Sequence, residues 1–202
     1  MTATDSQSSL SSIEPELLLA GYASGFFPMA ESKNGEIKWY SPDSRGILPF
    51  EHFKTSRSLA QTLRKNIFEI RLNTSFEEVI RSCAERRETW ISEEIIQSYL
   101  RLHRLGYGHS VEAWNKETLV GGLYGVALGA AFFGESMFSR VRDSSKVALV
   151  HLVQRLKERN FELLDTQFIT PHLARFGAIE ISREEYLFLL QKAVYKKRSF
   201  VD

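Results

Sequence analysis

The sequence has little cysteine, no long apolar run and almost no excess of charge. A single cysteine, Cys83, excludes an internal disulfide and a cysteine-rich metal site, so core packing is its expected role. No apolar segment approaches the roughly 20 residues that a membrane helix needs, and residues 1–15 lack the basic start and apolar block of a secretory signal. We therefore expect a cytoplasmic protein that makes no membrane contact.

Charge and motif spacing exclude further classes of ligand. The formal net charge of +1 gives no global attraction to nucleic acid, so such binding needs a local cluster, for example Lys54, Arg57, Arg64 and Lys65. The five histidines are scattered without a helical ligand spacing, so no metal is expected. No Walker A run is present, and the glycines at 106 and 108 lead from a helix into a strand, the reverse of a dinucleotide fingerprint. We expect no cofactor.

Apolar periodicity predicts alternating helices and strands. Helices are predicted from Pro15 to about residue 25, at 58–65, 76–84, 93–105 and 144–159, and from Arg183 onward; strands are predicted at 47–50, 68–72, 109–114, 119–126, 130–134 and 161–168. Residues 26–41 mix aromatic residues with turn formers, which is typical of an irregular lobe. The predicted protein is α/β (α+β), with a small N-terminal lobe at 1–41 and a larger domain at 42–202 that contains an antiparallel meander.

Residues 120–139, VGGLYGVALGAAFFGESMFS, are the centre of the predicted meander. Glycine inside a strand weakens it, so its repeated use indicates bulges or a ligand that approaches the backbone closely. A tightly packed hairpin with nothing bound explains the same pattern. This stretch alone does not decide between the two.

A polar pair, Asp165 and Gln167, interrupts the last predicted strand. Residues two apart on a strand leave the same face, so the two side chains could bond to one another. The amide carbonyl could then hold the hydrogen of an amine, while the carboxylate orients the amide and favours positive charge on the amine. A polar pair at a strand end with no function has the same spacing.

The order of meander, helix and strand resembles the acetyltransferases of the GNAT class. That fold binds the pyrophosphate of coenzyme A on backbone amides at the entry to the helix. Here the entry, residues 139–144, reads SRVRDS and contains no glycine. The pattern therefore indicates a GNAT-like fold that does not use coenzyme A.

Several separated motifs together resemble the leucyl/phenylalanyl-tRNA-protein transferase family, from residue 18 to residue 186. They are LLAGY at 18–22, GFFP at 25–28, WYSP at 39–42, SRS at 56–58, TWI at 89–91, HSVE at 109–112, VGGLYGV at 120–126, GESMFSR at 134–140, SK at 145–146, the pair at 165 and 167, HL at 172–173 and GA at 177–178. A glycine-rich segment that usually precedes the first motif in the family is missing, so the N-terminal lobe is shorter.

The resemblance implies a GNAT-like large domain with a mixed, mainly antiparallel sheet flanked by helices. It implies transfer of leucine or phenylalanine, with methionine as a further candidate, from aminoacyl-tRNA to the N-terminal α-amine of proteins that begin with Arg or Lys, which marks them for degradation. It also implies roles for particular residues. Asp165 and Gln167 would lie at the reaction centre, Leu123, Phe132, Leu149, Leu152, Leu156 and Leu164 would line an aminoacyl pocket, Trp39, Trp90 and Tyr99 would lie near the terminal adenosine, and Glu135 with Ser136 would support the acceptor peptide.

Two other functions fit parts of the sequence. A non-catalytic binder of aminoacyl-tRNA or RNA would keep the pocket and the aromatic residues, but the presence of Asp165 and Gln167 argues against it. An acetyltransferase that uses coenzyme A would need a different entry to the helix at 144. Neither alternative explains the whole set of motifs.

Overall fold

A computed structural model describes residues 12–201 of the chain. The helices are α1 (Pro15–Ala23), α2 (Arg57–Arg64), α3 (Phe76–Ala84), α4 (Glu93–Arg104), α5 (Ser144–Glu158), α6 (Pro171–Ala174) and α7 (Arg183–Val194). The strands are β1 (Phe27–Ala30), β2 (Ile37–Tyr40), β3 (Ser44–Ile47), β4 (Glu69–Leu72), β5 (Gly108–Asn115), β6 (Thr118–Leu128), β7 (Ala131–Ser139), β8 (Leu163–Gln167) and β9 (Ile179–Ser182).

Seven of these strands form one sheet in the order β4-β5-β6-β7-β8-β3-β9. Strands β7 and β8 run parallel, while every other neighbouring pair of this sheet is antiparallel. The predicted meander is confirmed as β5, β6 and β7, and α5 is the crossover that returns the chain to β8. The α/β (α+β) class with a mixed, mainly antiparallel sheet is therefore confirmed.

Helices cover both faces of this sheet. Successive side chains of a strand point to opposite faces of the sheet. Phe132 and Phe133 of β7 therefore belong to two different buried clusters. One cluster contains apolar residues of α1, α3, α4 and α7, and the other contains those of α2 and α5. The molecule is thus a three-layer structure with the sheet in the middle.

The N-terminal segment is more regular than its sequence predicts. Strands β1 and β2 form an antiparallel hairpin, whose turn includes a bond from Gly35 N to Ser32 O (3.0 Å). Each strand has only four residues, too few for a clear alternation, and the prediction of an irregular segment at 26–41 was wrong for this reason. Tyr22 of α1 packs on Phe133 of β7 with ring centroids 4.7 Å apart. The segment therefore shares its buried cluster with the large sheet.

Other differences from the predicted elements have local causes. The strand predicted at 47–50 is instead β3, which ends at Ile47, because Pro49 lacks the amide hydrogen that a ladder needs. Strand β8 is shorter than the strand predicted at 161–168. Phe161 N bonds to Leu156 O (2.9 Å) at the end of α5, so Phe161 is not part of the strand. The sequence pattern did not predict the edge strand β9, which has only four residues. Ser75 is the N-cap residue of α3, but its side chain makes no cap bond there.

Candidate active site

A pocket opens in the sheet where the two parallel strands stop pairing. The last pair between β7 and β8 joins Phe133 to Asp165, and the residues just beyond it on both strands, including Glu135 and Gln167, line the pocket. Its volume is about 760 Å³, which is within the range of small-ligand sites. In open sheets, ligands commonly bind beyond the carboxyl ends of parallel strands at such a point.

A β-bulge places Glu135 in the pocket. The register between β6 and β7 pairs Tyr124 with Ser136 but Gly125 with Gly134, so Glu135 is an extra residue without a partner. Bulges of this kind redirect a side chain next to a site. Its carboxylate oxygen Oε1 accepts hydrogen bonds from Tyr22 Oη (2.6 Å) and Gln167 Nε2 (3.0 Å). Burial raises the pKa of Glu135 to about 7, although these two bonds act to lower it.

A second bulge and an unusual backbone conformation position Gln167. The register between β3 and β8 pairs Gly46 with Gln167 but Ile47 with Asp165, so Thr166 is the extra residue. Gln167 has φ +62°, a left-handed conformation that costs a non-glycine residue about 1–3 kcal/mol. A Cβ on Gly46 would lie 2.7 Å from the carbonyl carbon of Phe168, so glycine is needed there for the chain to pass. The αL conformation and the bulge break the alternation on which the prediction for this pair rested.

Asp165 lies behind the pocket wall and is fully buried. Its Oδ1 accepts from Gln167 N (2.7 Å) and Arg45 Nε (3.0 Å), and its Oδ2 accepts from Arg45 Nη2 (2.7 Å) and Tyr186 Oη (2.7 Å). The expected contact between Asp165 and Gln167 thus exists, but through the backbone amide of Gln167. The side-chain amide of Gln167 bonds to Glu135 instead.

Unsatisfied polar atoms concentrate at this pocket. Among the described residues, four buried side-chain atoms lack a hydrogen-bond partner: Tyr124 Oη, Glu135 Oε2, Thr166 Oγ1 and His172 Nε2. All four residues line the pocket. Buried polar groups are normally bonded, so this concentration indicates a polar ligand that completes them.

The apolar wall contains part of the predicted aminoacyl pocket. Leu123, Leu149, Leu152 and Leu164 line the cavity. The structure places the other two predicted members behind this wall. Phe132 is fully buried with its ring 5.3 Å from that of Phe200, and Leu156, one helical turn beyond Leu152 on α5, is fully buried in the same cluster.

The aromatic residues predicted to meet the terminal adenosine occupy three different places. Trp90 lines the pocket, and its backbone oxygen accepts from Ala30 N (3.1 Å). Trp39 is outside the pocket lining and covers α1 at Gly21, where an added Cβ would lie 2.3 Å from the tryptophan ring. Tyr99 is fully buried and its hydroxyl bonds to that of Tyr22, so it supports Glu135 from behind. Ser136 lines the pocket next to Glu135.

Several residues of the site were not predicted from the sequence. Arg45 bonds to Asp165 across 120 positions, and Tyr22 bonds to Glu135 across 113, so no local spacing could connect them. Met29 and Phe168 line the pocket, and Phe168 is 45% exposed although it is aromatic. The signal that the sequence offered for Phe168 was an aromatic residue directly after Gln167.

The described residues also bear on the predictions about membrane, metal, cysteine and basic side chains. Between residues 12 and 201 no helix is long and apolar enough to cross a membrane, and no group of three or more His, Cys, Asp or Glu side chains could hold a metal ion. Cys83 is buried in the core as expected, and burial raises its pKa to about 12. The basic side chains predicted as a local cluster, those of Lys54, Arg57, Arg64 and Lys65, are all exposed on or beside α2.

An apolar pocket beside a buried carboxylate and an amide suits an acyl-transfer enzyme, because the pocket can hold an apolar acyl side chain while the polar groups receive a nucleophile. The family model for leucyl/phenylalanyl-tRNA protein transferase matches residues 47–191, and the model for the N-terminal domain of that family matches residues 11–43. The chain belongs to the leucyl/phenylalanyl-tRNA protein transferase family and is an aminoacyltransferase.

Relatives agree along almost the whole chain. The leucyl/phenylalanyl-tRNA–protein transferase of Gloeobacter violaceus is 56% identical over 92% of this chain and 96% of its own length. The enzyme of the same name from Herpetosiphon aurantiacus is 56% identical over 93% of this chain and 98% of its own. The solved structure of L-PGS from Bacillus licheniformis covers 85% of this chain and 67% of its own at 9% identity, with a TM-score of 0.45.

Proposed function

We propose that this enzyme transfers leucine or phenylalanine from aminoacyl-tRNA to the N-terminal α-amine of proteins that begin with Arg or Lys, in the cytoplasm. The added residue marks the acceptor for degradation. The observation that carries the proposal is the direct adjacency of the leucine-lined cavity to Glu135 and Gln167 at the separation of β7 and β8.

The leucine-lined wall suits the side chain of the donor. Each buried methylene contributes about 0.8 kcal/mol, so a leucyl or phenylalanyl group gains several times more from this wall than an alanyl group. Methionine also fits by size and polarity. The pocket therefore selects large unbranched or γ-branched apolar side chains over small ones.

The polar side of the pocket suits the α-amine of the acceptor. Glu135 Oε2 has no partner among the described residues, and Gln167 has its amide nitrogen committed to Glu135, which leaves its carbonyl oxygen for a donor. An amine or ammonium group supplies the missing hydrogens. A buried carboxylate without a basic partner also favours an acceptor whose first residue is positively charged.

The donor ester supplies the driving force of the reaction. An aminoacyl ester is already activated, so peptide-bond formation needs neither ATP nor a metal, and the enzyme acts by holding the amine against the carbonyl carbon. In this arrangement Gln167 and Glu135 hold the amine, while Asp165 and Arg45 position Gln167 from behind.

The direct test incubates the purified enzyme with leucyl-tRNA and a peptide that begins with Arg, without ATP, added metal or coenzyme A. We expect a mass increase of one leucine at the N-terminus. RNase treatment of the donor and acetylation of the peptide should each abolish the product. Donor binding without transfer would mean a non-catalytic binder, and acylation that requires only acetyl-coenzyme A would mean an acetyltransferase.

The pocket wall gives a matched pair of variants. Leu152→Ala should weaken the preference for leucyl over alanyl donors by about 1–3 kcal/mol, because it removes aliphatic contact with the side chain. Leu156→Ala, one turn away on α5 but buried behind the wall, should lower stability and leave the preference unchanged. Competition between leucyl-tRNA and alanyl-tRNA measures both. Equal effects of the two variants on preference would place the donor side chain elsewhere.

The two tryptophans give a second pair. If the terminal adenine stacks on Trp90, Trp90→Ala should cost about 1–3 kcal/mol in donor binding, for a short aminoacyl-adenosine analogue as well as for whole tRNA. Trp39→Ala should lower stability but spare binding of the analogue, since Trp39 packs on α1 at Gly21. Titration of the analogue checks this. A Trp90 effect confined to whole tRNA would exclude stacking on the terminal base.

Removal of the amide tests its part in catalysis. Gln167→Ala should reduce single-turnover transfer at least about tenfold, or roughly 1.4 kcal/mol of transition-state stabilisation, with little change in donor binding. Gln97→Ala serves as the control, because that amide on α4 bonds to Glu93 and does not line the pocket. Equal rates for the two variants would remove Gln167 from the mechanism.

A further inference from the structure

The hydrogen bonds around Asp165 leave it no capacity to take a proton during the reaction. Both of its oxygens accept from Arg45, and each accepts one further bond, from Gln167 N or from Tyr186 Oη. The guanidinium neutralises the charge, and Asp165 does not line the pocket. A proton on Asp165 would break a buried ion pair and leave the Arg45 charge unbalanced, which is costly.

Glu135 has the opposite surroundings. It lines the pocket, none of its bonds comes from a basic side chain, and its Oε2 is buried without a partner in the described chain. The carboxylate therefore has one satisfied oxygen that fixes its orientation and one free oxygen that can receive a proton. A candidate base must be within hydrogen-bond reach of the proton it removes. Gln167 Nε2 bonds to Glu135 Oε1 at 3.0 Å, so an amine that bonds to the Gln167 carbonyl would lie close to Glu135.

We infer that the Glu135 carboxylate, rather than Asp165, accepts the proton of the acceptor α-amine and then returns it to the leaving group. This inference rests on the proposed function, since it concerns the same transfer. Asp165 and Arg45 act as positioning residues in it, through the backbone of Gln167.

The steps balance without any further reactant. The neutral amine attacks the ester carbonyl carbon, so a C–N bond forms and the carbonyl becomes an oxyanion on a carbon that carries a protonated amine. Glu135 Oε2 takes one proton from that nitrogen. The oxyanion then collapses, the C–O bond to the ribose breaks, and the ribose oxygen receives the proton from Glu135. One ester is consumed, one peptide bond is made, and Glu135 ends as the carboxylate.

The groups that surround Glu135 are compatible with this cycle. They are Tyr22 on α1, Tyr99 on α4, Tyr124 on β6, Asp165 on β8 and Arg45 on β3. Burial raises the pKa values of all three tyrosines well above their ordinary value, so they stay neutral and serve only as donors or acceptors. Arg45 is paired with Asp165, so among these five residues Glu135 is the one whose charge responds near neutral pH.

The test measures single-turnover transfer to an Arg-starting peptide against pH for the unaltered enzyme, Glu135→Gln and Asp165→Asn. We expect Glu135→Gln to lose about 100-fold or more in the transfer rate at saturating acceptor, within the usual range for a general base, and to lose the rate increase near pH 7. Donor binding should not change. Asp165→Asn should be slower but should keep the increase near pH 7.

A second variant separates chemistry from folding and from binding. Glu135→Ala leaves space for a small carboxylate, so added formate should restore part of its rate, whereas formate should not help Gln167→Ala. A higher KM for the peptide with an unchanged maximal rate in Glu135→Gln would overturn the inference and leave only amine binding. Loss of the pH 7 increase in Asp165→Asn and not in Glu135→Gln would make Asp165 the base. No transfer by the unaltered enzyme would instead overturn the proposed function.

Discussion

Arg45→Ala is expected to lower the free energy of unfolding by about 3–5 kcal/mol, the cost of leaving a buried charge without its partner. The Arg45 guanidinium is 1% exposed, bonds to Asp165 and Gly25 O, and lies over the rings of Phe27 and Tyr186 at 4.5 and 4.4 Å. Its removal leaves the Asp165 carboxylate buried and uncompensated. Transfer should be lost with it, because Asp165 holds the backbone of Gln167.

Chemical denaturation of Arg45→Ala beside Arg81→Ala checks this prediction. Arg81 makes comparable bonds to Glu77 and Glu93, but its side chain is 43% exposed, and such pairs contribute only about 0–1 kcal/mol. The double variant Arg45→Met with Asp165→Leu should recover much of the lost stability and no transfer. Similar losses in the two single arginine variants would mean that burial does not govern this ion pair.

Glu135→Gln is expected to stabilise the enzyme above neutral pH by up to about 3 kcal/mol. A pKa raised from its ordinary 4.5 to about 7 means that the folded state binds the proton more tightly than the unfolded chain does. The contribution of Glu135 to stability is therefore present in full below pH 4.5 and is lost as pH rises through about 7. The glutamine variant has no such loss, so its advantage over the unaltered enzyme should grow across that interval.

Unfolding free energies at several pH values between 4 and 8 measure the difference between the two proteins, in which all other titrating groups cancel. Glu112→Gln is the matched control. Glu112 is also buried, but its two oxygens accept from Thr74 Oγ1, Ser75 N, Ser110 Oγ and Trp114 Nε1. That variant should be destabilised by about 1–3 kcal/mol. A Glu135→Gln enzyme with the same pH profile as the unaltered one would contradict the raised pKa.

The two predictions describe one physical arrangement. Arg45 and Asp165 form a neutral, hydrogen-bonded ion pair beneath the site. Through its bond to the backbone amide of Gln167, this pair holds Gln167 in a left-handed conformation. Glu135 lines the pocket and is buried with one oxygen unsatisfied, which lowers stability. The cost in stability thus falls on a carboxylate of the pocket wall.

The sequence by itself determined the family, the α/β (α+β) class and most elements longer than one or two turns. Helices α3, α4, α5 and α7 and the meander follow from apolar periodicity, because local repeats of 3.6 or 2 residues are visible without tertiary contacts. The buried position of the single cysteine, Cys83, was also predicted from the sequence. The short strands β1, β2, β3 and β9 carry too few residues for such a repeat.

Only the tertiary structure decided how the predicted site residues divide between the pocket and its supports. Asp165 and Gln167 are only two residues apart in sequence, yet two β-bulges and one left-handed residue direct Gln167 toward Glu135, while Asp165 bonds to Arg45. Bulges depend on how neighbouring strands pair, and the bonds from Arg45 and Tyr22 span more than a hundred residues. Long-range pairing of this kind has no local periodicity, which is why the sequence predicted candidate site residues but not the contacts between them.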